Sequence, residues 1–215
     1  MPANLCILVS GGGRTMVNLQ RHIAAGSLDA RIVRVIASAA CAGCDRAREI
    51  GIEPIVLGGT IPGDKLAALL AEVQADFVVL AGYLKRIEIP AGFAGRVVNI
   101  HPALLPAFGG RGMYGHHVHQ TVIAHGCKVS GCTVHLCDDQ YDTGPILVQR
   151  TCLVLETDTP ELLAARVFEQ ECLAYPEAIA ALIEKRVLVR GNRAVVFPVK
   201  LHNGPASLQP PFSRC

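Results

Sequence analysis

Leu5-Cys6-Ile7-Leu8-Val9-Ser10-Gly11-Gly12-Gly13-Arg14-Thr15 is the stretch on which the fold class turns. Five apolar residues in succession predict a strand buried on both faces, as in a parallel sheet. Glycines end it, and a helix-like stretch near 15–25 follows at once. Strand, tight turn and helix make the first half of a βαβ unit. The same alternation continues outward. Strand candidates Ile32–Ile36, Ile55–Leu57, Phe77–Leu80 and Val97–Ile100 are separated by helix-like stretches near 43–50, 63–74 and 90–94.

After about residue 127 the pattern changes. Lys128–Asp138 and Pro145–Val154 read as strands that pair antiparallel across a short polar turn. A long helix follows, with Thr159 as N-cap and Pro160 in its first turn. Ala165, Phe168, Cys172, Tyr175, Ile179 and Leu182 recur at spacings of three and four, which predicts its buried face. Pro176 is expected to kink it. Val187–Val189 and Ala194–Phe197 read as a terminal hairpin, and the tail from Asn203 as loose. The expected architecture is α/β: a Rossmann-like three-layer sandwich, its sheet mostly parallel with an antiparallel C-terminal part. One domain spans 1–202, with a flexible tail over 203–215.

Composition narrows the function classes. Of 215 residues, 51% are hydrophobic and 18% charged, which excludes a disordered chain. No run reaches the ~18 apolar residues of a membrane span. Twenty basic against 18 acidic side chains leave a net charge of +2, so neither nucleic acid nor an anionic membrane is expected as partner. The N-terminus lacks the pattern of a secretory signal, and nine cysteines have no framework spacing, so a reducing cytoplasm is expected. Cys41-Ala-Gly-Cys44 and the run His116-His117-Val118-His119 offer no four ligands at workable spacing, so no metal is expected.

The loop Ser10–Thr15 has the form of a phosphate cradle, because free N–H groups at a helix start attract anions. The dinucleotide fingerprint fails at Met16, which stands where its third glycine belongs, and Ser38 offers no acid for a ribose diol. The nucleoside-triphosphate loop is absent too. A phosphate monoester on a small substrate remains, with Arg14 as an extra charge. The structural alternative is a glycine turn that only permits close packing.

Val98-Asn99-Ile100-His101-Pro102 places Asn99 and His101 on one face of a strand, at its carboxyl end. A second polar group lies at Asp138–Pro145, with Asp142 in it. An amide, an imidazole and a carboxylate that converge suit acyl transfer to an amine. The amide and a protonated imidazole stabilise the oxyanion, and the carboxylate raises the imidazole pKa. No serine or cysteine nucleophile is required if the amine attacks directly.

Several segments now acquire a common meaning. Ser10–Thr15, Leu80–Tyr83, Asn99–Pro106, Gly131–His135 and Asp142–Pro145 stand in the order of the folate-dependent formyltransferases. So does Arg166-Val167 before Gln170-Glu171. The chain resembles that superfamily over roughly residues 4–197, and within it the phosphoribosylglycinamide formyltransferases. The resemblance implies transfer of a formyl group from 10-formyltetrahydrofolate to the primary amine of glycinamide ribonucleotide. It implies Asn99, His101 and Asp142 as catalytic residues, with Asp142 holding His101 charged. Gly13, Arg14 and Thr15 would cradle the phosphate, although Arg14-Thr15 stands where the family loop usually has Ser-Asn. Glu171 would meet the amine end. Leu84, Lys85, Arg86, Ile87, Asn99, Asp138 and Tyr141 would contact the folate. The implied partners are small molecules, with the chain a monomer or homodimer. Competing readings are an amino-sugar nucleotide acceptor, a formyltetrahydrofolate hydrolase, and a non-catalytic phosphate-ligand module.

Overall fold

The structure, a computed structural model, describes residues 1–199; the tail expected over 203–215 lies outside the described residues. One sheet holds β1 (Ala3–Val9), β2 (Ala30–Ala37), β3 (Ile55–Val56), β4 (Phe77–Leu80), β5 (Val97–His101), β6 (Val129–Leu136) and β7 (Ile146–Leu153). Their spatial order is β3-β2-β1-β4-β5-β6-β7. The first five are parallel, and β6 and β7 each run antiparallel to the strand before. The helices are α1 (Arg14–Ala24), α2 (Ala42–Glu49), α3 (Gly63–Glu72), α4 (His116–Ala124) and α5 (Pro160–Ile183). A separate hairpin, β8 (Val187–Arg190) and β9 (Arg193–Val196), follows.

β1 shows why three layers form. Leu5, Ile7 and Val9 face a core with Met16 and Leu19 of α1 and Leu163, Val167 and Tyr175 of α5. Cys6 and Leu8 face the opposite core, with Leu66 and Leu70 of α3. A strand that is apolar from Leu5 through Val9 must be covered on both sides along that run. The winding reverses between β1 and β4, and such a switch point leaves a crevice beyond the strand ends.

Four local expectations need correction. Residues 90–94 are not helical. Pro90 is followed by Gly92 and Gly95, both at positive φ, and the chain turns instead. α4 was not expected, because a glycine-rich stretch leads into it and only Val118, His119 and Val122 of its nine residues are buried. The buried face of α5 is Leu163, Val167, Ala174, Tyr175, Pro176, Ala178, Ile179 and Ala181, while Ala165 is exposed and Phe168, Cys172 and Leu182 are half-buried. In the first half the packing stripe runs through Leu163 and Val167, which frees Phe168 for another surface. Finally, α5 is continuous through Pro176. The carbonyl of Cys172, four residues back, loses its helical donor there. Asn18 of α1 supplies the substitute, its Nδ2 donating to Cys172 O at 2.9 Å. Elsewhere in α5 the capping is as expected: Thr159 accepts from Leu162 N.

Candidate active site

A cavity of about 850 Å³ opens at the carboxyl ends of β1, β4 and β5. All of the residues singled out from the sequence border it: Gly13, Arg14 and Thr15; Leu84 to Ile87; Asn99 and His101; Asp138, Tyr141 and Asp142; and Glu171. Its size lies within the range of small-molecule sites.

Strand register brings the polar cluster together. Asn99 of β5 lies directly opposite His135 of β6. The Asn99 Nδ2 is 3.1 Å from His135 Nε2, which in turn lies 3.5 Å from Asp142 Oδ1. His135 Nδ1 donates to the Leu136 carbonyl at 2.9 Å, which fixes the ring. The other carboxylate oxygen, Oδ2, is 3.5 Å from His101 Nδ1 and accepts from Gly110 N at 2.9 Å. His101 Nε2 donates to the Phe108 carbonyl at 2.8 Å. His135 had been read only as part of a motif. Its place opposite Asn99 in a β5–β6 pair was the signal that could have found it.

Charge in the cluster differs from expectation. Burial pushes His101 below the ordinary imidazole value, against the upward pull of Asp142 and of the Phe108 carbonyl. The ring is 3% exposed, so loss of water outweighs one carboxylate at 3.5 Å. His101 is therefore neutral near neutral pH, not held charged by Asp142. Burial alone pushes Asp142 up, yet His135, His101 and the Gly110 N–H together bring it below the usual carboxylate range. The glycine-rich stretch 109–115 thus helps hold Asp142 ionised.

The loop after β1 is shaped by backbone contacts. Gly13 caps α1 at φ 68°, and no side chain caps the helix. The first turn carries no acidic residue, so its N–H groups are left for a ligand. Gly43 N donates to Gly11 O at 2.9 Å, and Arg46 donates to Gly12 O. Ser10 Oγ accepts from Ser38 Oγ at 2.7 Å and from Leu84 N at 2.9 Å, tying the loop to the start of the 84–87 stretch. The Arg14 guanidinium sits 4.2 Å from the centre of the Phe168 ring, a cation–π contact. Burial raises Glu171 to about 7, with Arg14 drawing it back down. It is thus poised between acid and carboxylate.

The formyl transferase family matches residues 3–179. The chain belongs to the formyl transferase family. Among its relatives, "Phosphoribosylglycinamide formyltransferase, chloroplastic" of Vigna unguiculata is 44% identical over 197 residues, covering 86% of this chain and 62% of the relative. The phosphoribosylglycinamide formyltransferase of Mycobacterium tuberculosis is 37% identical over 207 residues, covering 91% and 92%. The solved glycinamide ribonucleotide transformylase 1 of Symbiobacterium toebii superposes with a TM-score of 0.83 at 32% identity, covering 92% of this chain and 95% of that one. The chain spans 62%, 66% and 65% of the three chloroplastic relatives it matches. Among the described residues of this formyl transferase family member, no helix is long and apolar enough to cross a membrane. No group of three or more His, Cys, Asp and Glu among them is arranged to hold a metal ion.

Proposed function

We propose that the protein transfers the formyl group of 10-formyltetrahydrofolate to the primary amine of glycinamide ribonucleotide, the formylation step named for its relatives in purine biosynthesis. The observation that carries this reading is the meeting of Asn99, His101 and Asp142 in one cavity with the open N-terminus of α1. The phosphate of the acceptor sits against Gly13, Arg14 and Thr15, with the Arg14 guanidinium steadied by Phe168. The amine end lies toward His101 and Glu171. The folate is held by residues 84–87 and by Asp138 and Tyr141.

The neutral amine attacks the formyl carbon directly. The Asn99 amide, oriented by His135, donates to the oxyanion. A neutral His101 takes the proton that the attacking nitrogen sheds. It becomes an imidazolium only in the intermediate, where the charge of Asp142 favours it. It then gives that proton to the leaving folate nitrogen, so the ring ends as it began. A low resting pKa suits this cycle, because a histidine already charged could not accept.

Turnover of purified protein with 10-formyltetrahydrofolate tests the reading, offering glycinamide ribonucleotide beside an amino-sugar nucleotide. Formylation of the first with no comparable rate on the second is expected. Turnover of the amino sugar alone, or release of formate without an acceptor, would reassign the substrate or the reaction class.

A further inference from the structure

One buried polar side chain in the cavity wall has no part in this scheme. His119 of α4 is 5% exposed and borders the cavity. Its Nδ1 is sealed from solvent and has no hydrogen-bond partner among the described residues. Burial, with His116 and His101 nearby, pushes its pKa down to about 4. The ring is therefore neutral wherever His101 is active, and carries one N–H. On Nδ1 that hydrogen would be a buried donor with nothing to meet, whereas an unmet lone pair there is more readily tolerated. The proton belongs on Nε2, the nitrogen that is not sealed in.

The helices place that donor on one side of the cavity. α4 packs on α5, and His116 pairs with Glu161 near the α5 N-terminus at 3.4 Å. α5 also brings Phe168 and Glu171 to the cavity, on the side assigned to the acceptor. The folate stretches come from other loops, 84–87 and 138–141. A donor that stays neutral suits a neutral carbonyl and does not compete with His101 for the amine proton.

We propose that His119 Nε2–H donates to the carbonyl oxygen beside the reacting amine, and so selects α-amino amides as acceptors over amines that lack a neighbouring carbonyl. This rests on the glycinamide ribonucleotide reading. An amino sugar presents carbon-bound hydroxyls next to its amine, and leaves the imidazole donor without its carbonyl.

The experiment has two arms. In the wild-type protein, long-range proton–nitrogen spectra of labelled histidine should show His119 neutral and protonated on Nε2 from about pH 5.5 to about pH 8, where free histidine changes charge. An Nδ1–H ring, or a cation in that window, overturns the inference whatever the acceptor is. In steady-state assays, His119→Leu should raise the acceptor KM by about tenfold, the scale of one lost hydrogen bond, and leave the 10-formyltetrahydrofolate KM unchanged. His119→Gln, which keeps a donor, should recover most of that loss. An unchanged acceptor KM, or equal changes for both substrates, overturns the role. Failure of the wild-type enzyme to formylate glycinamide ribonucleotide would instead remove the substrate reading and, with it, the carbonyl assigned to His119. The spectra would then still report the ring's tautomer independently.

Discussion

Two stretches of the cavity wall are built from different material. Around Asn99, His101, His135 and Asp142, side chain meets side chain, and the charges of His101 and Asp142 depend on their neighbours. Around Gly11–Thr15 backbone packs on backbone, with Gly43 N on Gly11 O and Gly13 on the Gly43 Cα, and the Arg46 side chain reaches the Gly12 carbonyl. The difference separates two tasks. Chemistry needs particular functional groups at tuned pKa values. Holding an anion needs N–H groups brought close, and there the absence of side chains is the active feature. Variants in the first stretch should therefore act on kcat, and variants in the second on the acceptor KM.

The largest effect should come from the side-chain stretch. His101→Ala and Asp142→Asn are each expected to lower kcat by at least ~10²-fold, the lower range for acid–base and oxyanion groups, with acceptor KM within a few-fold. The double variant should be little worse than either single one, because the carboxylate acts through the imidazole. Fully multiplicative losses in kcat would show the two groups working separately.

The backbone stretch should respond in the other parameter. A Cβ at Gly43 would stand 2.9 Å from Gly11 O and 3.1 Å from Val9 Cγ2. Neither neighbour is the far end of a flexible chain, so the loop must move. Gly43→Ala should raise the acceptor KM by about tenfold or more, since misplaced N–H groups weaken each contact to the anion, and lower kcat much less. If kcat falls as far as in His101→Ala while KM holds, the division of labour between the two stretches is wrong.

The same contrast decided what could be read before folding. Continuous apolar strands, glycine turns and Asn99-x-His101 are local patterns, and they led to the sheet, its layers and the cavity mouth. His135 is distant in sequence, and only the antiparallel register of β5 and β6 puts it opposite Asn99. The neutral state of His101 was out of reach for a related reason. Its pKa is a contest between burial and one nearby carboxylate, and the extent of burial is a property of the assembled core. α4 escaped because most of its face meets solvent or the cavity, so apolar periodicity had little to report. Gly43 was part of an unassigned Cys-x-x-Cys spacing until α2 was seen packed against the glycine loop.

The smallest effect concerns how the backbone stretch is tied to the rest of the site. α1 begins at the glycine loop, and α5 carries Phe168 and Glu171. Pro176 withholds an N–H from Cys172 O, one residue past Glu171, and the Asn18 amide fills the place at 2.9 Å. Asn18→Ala leaves that partly buried carbonyl without a donor, at a cost of about 1 kcal/mol. Pro176→Ala returns an N–H to the helix, so the carbonyl no longer depends on α1. Each single variant carries a further cost of its own, since Pro176 is buried and its ring fills space. A double-mutant cycle removes those costs. Urea unfolding of the four proteins should give a coupling of about 1 kcal/mol, with the double variant more stable than the sum of the singles predicts. Additivity within about 0.3 kcal/mol would mean that Asn18 does not replace the missing helix donor. The glycine loop would then be anchored by Gly43, Arg46 and Ser10.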